Sequence, residues 1–192
     1  MAVPALVEGY MESVFLPVVL AQLDREDLQP IIRNAGGGAL FWKEAKRYNQ
    51  AGARTTVLGL ADLEQSACPP ELLADKLMHK SEGFHLRLAV RMLESWLLAD
   101  RSSIADFLRV PVVLIPVQPD TEQNPKRKLI EIARRSTKRA IREAMVPDGS
   151  GAVVGPDYVA TMSEYIKVRW QVAAARQTSP SLERACRRWG TI

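Results

Sequence analysis

The first half of the chain alternates between short apolar runs and longer segments whose apolar residues recur at helical spacing. Continuous apolar runs are typical of buried strands, and a 3.6-residue periodicity predicts helices. The predicted strands are 3–7, 29–33, 55–61 and 84–90, and the predicted helices are 12–23, 39–50, 69–79 and 92–99. Pro17 requires a late start or a kink in the first helix. This βαβα order favours a parallel sheet with helices on its faces, so the predicted fold class is α/β.

The second half shows helical patterns without a comparable strand signal. Apolar residues at helical spacing predict one helix over 126–144 and another over 157–175, and a last helix is predicted to begin at Ser179 and Pro180. We therefore expect an α/β core over residues 1–118. Residues 119–192 are expected to form a basic helical C-terminal portion that packs on this core as one domain.

The charges divide between these two portions. The 192 residues carry a net charge of +4, but residues 119–192 hold 14 Lys or Arg against 8 Asp or Glu, and residues 1–118 hold 12 against 14. Metal sites need carboxylates and phosphate backbones attract cations, so this division is typical of a nuclease. It does not prove one.

The sequence argues against several other classes of protein. Two cysteines and two histidines, without a CxxC spacing, predict neither a disulfide framework nor a zinc site of cysteines. The apolar segment 14–23 is interrupted by Pro17 and Gln22, and no run approaches the roughly 20 apolar residues that span a bilayer. We therefore expect a cytoplasmic protein without a membrane partner.

Three carboxylates follow two of the predicted strands. Glu8 comes directly after the first strand, Asp62 directly after the third, and Glu64 two residues later. The carboxyl ends of parallel strands meet at one edge of a sheet, and Glu64 points to the same side as Asp62 if the chain stays extended. Carboxylates that meet there repel, and a hard divalent cation such as Mg²⁺ relieves the repulsion. Alternatively, Glu8 and Asp62 cap the helices that follow them.

Five groups of short motifs occur in order along nearly the whole chain. They are Val7-Glu8-Gly9 with Glu12, Asp62-Leu63-Glu64 with Cys68-Pro69, Glu94-Ser95-Trp96-Leu97-Leu98-Ala99-Asp100, Asn124-Pro125-Lys126, and Ser179-Pro180-Ser181-Leu182. Together they resemble an uncharacterised bacterial Toprim-like family that is related to the nucleases of the OLD group.

The resemblance implies a Toprim-like fold, a divalent metal ion (Mg²⁺ or Mn²⁺), and a role in phage defence or mobile-element biology beside an ATPase partner. Glu8 matches the Toprim glutamate, which in related enzymes binds metal or acts as general base or acid. Asp62 and Glu64 match the acidic pair that holds the metal. Glutamate stands at position 64 where aspartate is usual, and the glycine that often follows the pair is absent.

Two residues away from these strand ends are further candidates for the acidic site. Glu94 lies in an otherwise apolar segment, where an ionised carboxylate is costly to bury without a partner, so it is a candidate metal ligand. Lys126 is a candidate catalytic residue that neutralises a phosphate, with a solvated lysine as the alternative. Asp100 is predicted to cap a helix that begins near Ser102. The glycines 36–38 lack the pattern of a phosphate-binding loop and predict a turn.

Six basic side chains on the predicted helix over 126–144 are the strongest indication of nucleic-acid binding. Several positive charges on one helix can follow a phosphate backbone, although such a face can equally be solvated or contact a protein partner. The six are Arg127, Arg134, Arg135, Lys138, Arg139 and Arg142.

These observations predict a metal-dependent nuclease that cleaves phosphodiester bonds of DNA or RNA. Glu8, Asp62, Glu64 and Glu94 are the expected metal ligands, and Glu8 and Lys126 the expected catalytic residues. The alternative is a catalytically silent adaptor or regulatory partner of an ATPase, for which the unusual Glu64 is the argument. The sequence leaves a homo-oligomer open.

Overall fold

A four-stranded, all-parallel sheet forms the centre of the protein. The computed structural model describes residues 1–66, 68–149 and 151–192. Within these ranges the sheet has the order β2-β1-β3-β4. Its strands are β1 (Ala2–Val7), β2 (Gln29–Asn34), β3 (Val57–Asp62) and β4 (Phe84–Ala89). The predicted α/β class, with a parallel sheet flanked by helices and a helical C-terminal portion, is confirmed.

The described residues also form ten α-helices and two short 3-10 turns at 112–114 and 119–121. The helices are α1 (Tyr10–Gln22), α2 (Gly38–Ala51), α3 (Pro69–Leu77), α4 (Leu93–Ala99), α5 (Arg101–Leu108), α6 (Pro125–Ala133), α7 (Arg139–Met145), α8 (Tyr158–Val168), α9 (Val172–Ala175) and α10 (Pro180–Trp189). In this part of the chain, none of them is both long enough and apolar enough to cross a membrane.

The register of the sheet places the ends of its two central strands side by side. Val7, the last residue of β1, lies opposite Leu60 in β3, and the backbone N–H of Glu8 donates to the Leu60 carbonyl at 3.0 Å. Asp62 ends β3 opposite Ala89 of β4. Because all four strands run in the same direction, residues that follow β1 and β3 emerge at one edge of the sheet.

The two faces of the sheet are covered by different sets of helices. Alternate residues of β1 point to opposite faces, so that Leu6 joins a cluster with Phe41 of α2 and Leu72 of α3, whereas Val7 joins the larger cluster on the other face. That larger cluster contains residues of α1 and α4 and of the helices after residue 119. One hydrophobic cluster therefore includes residues from both portions of the chain.

Three tryptophans form the centre of this larger cluster. Trp96, Trp170 and Trp189 are fully buried, and the rings of Trp96 and Trp189 meet edge to face with centroids 6.1 Å apart. The indole N–H of Trp96 donates to the Ser181 hydroxyl at 2.7 Å, and that of Trp170 donates to the Trp96 carbonyl at 3.0 Å. These bonds join α4 of the core to the C-terminal portion, whereas the buried indole N–H of Trp189 has no acceptor among the described residues.

The predicted helix over 126–144 is wrong, because the chain forms α6 and α7 with a turn at 134–138. The buried hydroxyl of Ser136 accepts the backbone N–H of Lys138 at 3.1 Å, and the N–H of Thr137 donates to the Arg109 carbonyl at 3.2 Å. Serine and threonine hydroxyls compete with helical hydrogen bonds in this way. The turn therefore replaces helical bonds with tertiary ones.

The predicted helix over 157–175 is also interrupted, here at residues 169–171 between α8 and α9. Trp170 is fully buried, and the N–H of Gln171 donates to the Asp100 carboxylate at 2.9 Å. Asp100 stands at the N-cap position of α5, which begins at Arg101, but its side chain makes no cap hydrogen bond there. Of the two alternatives predicted for Pro17, a late helix start or a kink, the late start does not occur, because α1 begins at Tyr10 and contains Pro17.

Replacing Gln22 with alanine should destabilise the whole protein. The Gln22 amide donates to the Trp170 carbonyl at 2.9 Å and accepts the Val172 N–H at 2.7 Å, so it joins the end of α1 to the start of α9. The variant leaves two backbone groups without these partners, at an expected cost of about 1–3 kcal/mol. Urea unfolding followed by tryptophan fluorescence measures this loss. Gln50→Ala, an exposed change on α2, is the control and should stay within about 0.5 kcal/mol of wild type.

Candidate acidic site

Glu8 and Asp62 are adjacent at the carboxyl edge of the sheet. One oxygen of the Glu8 carboxylate, Oε2, accepts the backbone N–H of Asp62 at 3.1 Å. Among the described residues the Glu8 carboxylate accepts no N–H of α1, so it bonds to the sheet and does not cap the helix that follows it. The structure therefore brings together the two carboxylates that strand order alone predicted to meet.

Asp62 also supports the neighbouring helix. Its Oδ1 accepts the backbone N–H of Leu93, the first residue of α4, at 2.9 Å. This is the helix-capping role considered from the sequence, but it serves α4, which follows β4, and not the next helix along the chain. The bond orients Asp62 and places the start of α4 against the end of β3.

Glu94 is brought to the same place by the first turn of α4. It is only 2% exposed, and its Oε1 accepts the Tyr158 hydroxyl at 2.9 Å. The Lys126 ammonium lies 3.5 Å from the same oxygen. An apolar segment therefore carries a buried carboxylate that is held by a phenol and a cation, both of which come from the C-terminal portion.

Glu12 is a fourth carboxylate of the cluster, and it is not among the predicted site residues. It is 8% exposed in the first turn of α1, and its carboxylate lies so close to Gly9 that a β-carbon there would come within 2.9 Å of it. The signal that singled out Glu94, an acidic residue in an apolar segment, also applies to Glu12. Nothing comparable marked Tyr158, which looked like an ordinary core aromatic.

Burial and mutual repulsion shift the ionisation of this cluster. Burial, followed by the nearby carboxylates of Glu94 and Glu8, raises the pKa of Glu12 to about 7. Burial is also the main cause that raises the pKa of Asp62 well above its ordinary value, with Glu12, Glu94 and Glu8 adding to it. The pKa of Glu8 rises for the same two reasons, opposed by its hydrogen bond to Asp62. The cluster is therefore a place where negative charge is disfavoured.

Lys126 is the cation that faces these carboxylates. Burial on its own lowers the pKa of Lys126, but the carboxylates of Glu94, Asp62 and Glu12 outweigh it, so the net shift is upward. Lys126 therefore keeps its positive charge at neutral pH. The structure brings this predicted residue to the acidic site, with 36% of its side chain still exposed.

Glu64 occupies a different position from the one expected. Its φ of +52° takes the chain out of the extended conformation, and its backbone N–H donates to the Arg91 carbonyl at 2.7 Å. The side chain is exposed. The Glu64 carboxylate nevertheless lies on the same side of the cleft as Glu8. A β-carbon added at Gly38 would stand 3.3 Å from Glu8 Oε1 and 3.9 Å from Glu64 Oε1. Glu64 thus lies at the mouth of the cluster and not within it.

An open cleft of about 410 Å³ leads to this site. Glu8, Asp62 and Glu64 line it together with Gly38, whose missing side chain leaves space beside Glu8. In the glycine turn that precedes α2, the N–H groups of Gly36 and Gly37 are not presented to the cleft, because both donate to the Glu8 carbonyl, at 3.1 and 2.9 Å. The predicted turn, rather than a phosphate-binding loop, is what forms there.

The donor atoms suit a hard divalent cation, although the side chains do not surround one. Within residues 1–66, 68–149 and 151–192, no group of three His, Cys, Asp or Glu side chains has the arrangement of a metal site. However, Glu8, Asp62 and Glu94 each use one carboxylate oxygen in the hydrogen bonds above, and the other oxygen makes none in the described part of the chain. Carboxylate oxygens are the ligands that Mg²⁺ and Mn²⁺ favour.

The six predicted nucleic-acid-binding residues do not share one helix. Arg127 pairs with Glu131 on α6 and Arg139 with Glu143 on α7, each within 3.1 Å. Arg142 donates to the Ser136 carbonyl. The other three, which lie in the turn between the helices, are exposed and have no salt bridge in the part of the chain that the structure describes. These three, here called the turn patch, are Arg134, Arg135 and Lys138.

Comparison with known proteins adds no relative to these observations. No protein-family model, no curated protein and no solved structure matches this chain significantly. The resemblance to Toprim-like proteins therefore stays a prediction from the motifs.

Replacing Glu12 with glutamine should make the metal-free protein less sensitive to alkaline pH. The pKa of Glu12 is about 7 in the folded protein and near 4.5 for an unperturbed glutamate, so the wild type loses stability as pH rises from about 4.5 past 7. The neutral amide removes this contribution. The melting temperature of the variant minus that of wild type, measured in EDTA, should therefore increase from pH 5 to pH 8.

The exposed change Glu26→Gln is the matched control, because it alters the same charge far from any buried carboxylate. Melting curves of Glu12→Gln and wild type that shift in parallel between pH 5 and pH 8 would contradict the buried, mutually repelling cluster.

Proposed function

We propose that this protein is a Toprim-like, metal-dependent nuclease that cleaves phosphodiester bonds of DNA or RNA with Mg²⁺ or Mn²⁺. The observation that carries the proposal is the cluster of Glu8, Glu12, Asp62 and Glu94 at the carboxyl edge of a parallel sheet. Glu8, Glu12 and Asp62 have raised pKa values, and Glu8 and Asp62 line an open cleft, a combination that is typical of a functional site.

Three members of the cluster are suited to hold the ion. Glu8, Asp62 and Glu94 keep one oxygen each for it, and Glu64 at the mouth of the cleft offers another carboxylate. When bound, the ion supplies positive charge that stabilises the developing charge on the phosphate and acidifies a water molecule.

Two side chains have proton and charge roles of their own. Glu8 lines the cleft, and its raised pKa brings it closer to neutrality, where a general base works best. Lys126 remains charged and lies beside Glu94. Its ammonium group can also stabilise a phosphate oxygen. The Tyr158 hydroxyl donates a hydrogen bond to the Glu94 carboxylate and so fixes the direction of that carboxylate.

The biological setting follows from the motif resemblance rather than from the geometry. We propose a cytoplasmic role in phage defence or mobile-element biology, beside an ATPase partner. The turn patch supports contact with DNA or RNA, because its three exposed cations can pair with backbone phosphates.

A catalytically silent partner of an ATPase is the second candidate. The Lys126 ammonium and the Tyr158 hydroxyl already satisfy Glu94, and Asp62 has a structural role at α4. A cluster of this kind can persist without a metal ion, with Lys126 as its counter-charge. Cleavage assays separate the two candidates.

Cleavage should require Glu8 and Asp62. Labelled single-stranded DNA, duplex DNA and RNA are incubated with Mg²⁺ or Mn²⁺ and wild type, Glu8→Gln or Asp62→Asn, and products are followed on gels. Loss of a general base typically slows a reaction by about 10²–10⁴-fold, so we expect Glu8→Gln to fall in that range. Glu71→Gln, an exposed change on α3, is the control and should cleave like wild type. Equal residual cleavage by all four proteins would rule out this site as its source.

Mn²⁺ should stabilise the wild type and not Asp62→Asn. A ligand that binds only the folded state at 100 times its dissociation constant adds about 2.7 kcal/mol, which corresponds to a rise of roughly 5–10 °C in melting temperature for a chain of this size. Because protons compete for these carboxylates, the rise should be larger at pH 8 than at pH 5.5. An unchanged response in Asp62→Asn would show that Mn²⁺ binds elsewhere, and Mn²⁺ binding without cleavage would favour the silent partner.

A further inference from the structure

A second groove runs along the exposed edge of the sheet. It has a volume of about 770 Å³ and lies between α3, the edge strand β4 and α10. Its floor is largely apolar, formed by side chains such as Leu73 of α3 and Leu88 and Val90 at the end of β4. We call it the edge groove.

Four arginines line the edge groove. Arg184, Arg187 and Arg188 lie on one side of α10, at positions separated by three and four residues, and Arg87 comes from β4. Arg187 has a distant carboxylate partner, Glu183 at 3.8 Å. For the other three, no carboxylate comes within salt-bridge distance in the part of the chain that the structure describes, and no acidic residue lines the groove.

Arg87 has the features of an incomplete anion site. Its Nη1 donates to the Leu86 carbonyl at 3.0 Å, but its Nε is buried and makes no hydrogen bond with any described residue. Burial, followed by repulsion from Arg188, lowers the pKa of Arg87 to about 10. Two guanidinium groups that repel each other are stabilised by an anion between them.

We propose that the edge groove binds the backbone of single-stranded nucleic acid. Phosphates pair with Arg184, Arg188 and Arg87, and the unpaired bases lie on the apolar floor. The nucleic-acid class of this ligand rests on the proposed function, but its binding needs neither a metal ion nor cleavage.

The lining of the groove favours a single strand over a duplex and over a peptide. In a duplex the base faces are stacked inside the helix, so the apolar floor would have nothing to contact. An extended peptide would add to β4 through its backbone, but the carbonyls of Phe84 and Leu86 already accept Lys80 Nζ at 2.8 Å and Arg87 Nη1 at 3.0 Å. A phosphodiester strand needs none of these backbone groups.

The edge groove and the acidic cleft share helix α3. Pro69 and Leu73 of α3 line the groove, whereas Leu72, Asp75 and Lys76 line the cleft. A strand held in the groove can therefore extend past α3 toward Glu8 and Asp62. The arrangement would anchor a substrate at one site while a different part of it reaches the carboxylates.

The test measures binding of a fluorescein-labelled 20-nucleotide oligo-dT by anisotropy in EDTA, over a series of salt concentrations. The double variant Arg184→Gln/Arg188→Gln removes two exposed cations of the groove, and Arg47→Gln/Arg54→Gln removes two exposed cations outside it. Each phosphate contact on a single strand contributes about 0.7 to the slope of log K against log salt. The groove variant should therefore bind more weakly with a slope flatter by about 1.4, and the control should match wild type.

Three results would overturn the inference, provided that the groove variant melts like wild type. The first is a slope of log K against log salt that is unchanged in Arg184→Gln/Arg188→Gln. Weaker binding in the turn-patch variant Arg134→Gln/Arg135→Gln would not alter that conclusion. The second is a 20-base-pair duplex that shows the same affinity and the same change in slope. The third is displacement of the oligonucleotide by a 20-residue poly-glutamate as readily as by unlabelled oligo-dT. Failure of cleavage with Mg²⁺ or Mn²⁺ alongside the expected slopes would reject the proposed nuclease and leave the groove standing.

Discussion

The confinement of several carboxylates in a poorly hydrated space is the constraint on which the rest of the site depends. Glu12, Asp62 and Glu94 lie together where the central strands end, and burial and repulsion raise the pKa values of Glu12 and Asp62. The fold tolerates this because backbone N–H groups, a phenol and Lys126 each take up part of the negative charge. A divalent cation would take up more of it, which is the physical basis for the proposed function.

The two portions of the chain contribute unequally but jointly to this site. The parallel sheet supplies Glu8 and Asp62, and the C-terminal portion supplies the two groups that hold Glu94, the Tyr158 hydroxyl and the Lys126 ammonium. The shared tryptophan cluster places the C-terminal helices against α4 with buried hydrogen bonds. Core packing and the chemistry of the site are thus coupled, because a shift of the C-terminal helices would move the partners of Glu94.

The same arrangement separates positive from negative surface. Carboxylates occupy the cleft on one side of α3, and arginines occupy the edge groove beside the other residues of that helix. The turn patch adds exposed cations between α6 and α7. The proposed binding of a nucleic-acid strand rests on this separation of charge.

The sequence by itself determined the α/β order, the four strands and the meeting of Glu8 with Asp62, because buried apolar runs and parallel strand ends are local signals with a fixed geometric consequence. It also marked Glu94, and the same signal could have marked Glu12, since an acidic residue in an apolar segment needs a partner. Only the tertiary structure decided that Tyr158 and Lys126 are partners of Glu94, that Glu64 turns outward, and that the basic residues divide between two helices and a turn. Those outcomes depend on contacts between residues far apart in the chain, such as the Thr137 N–H with the Arg109 carbonyl, which no local periodicity encodes.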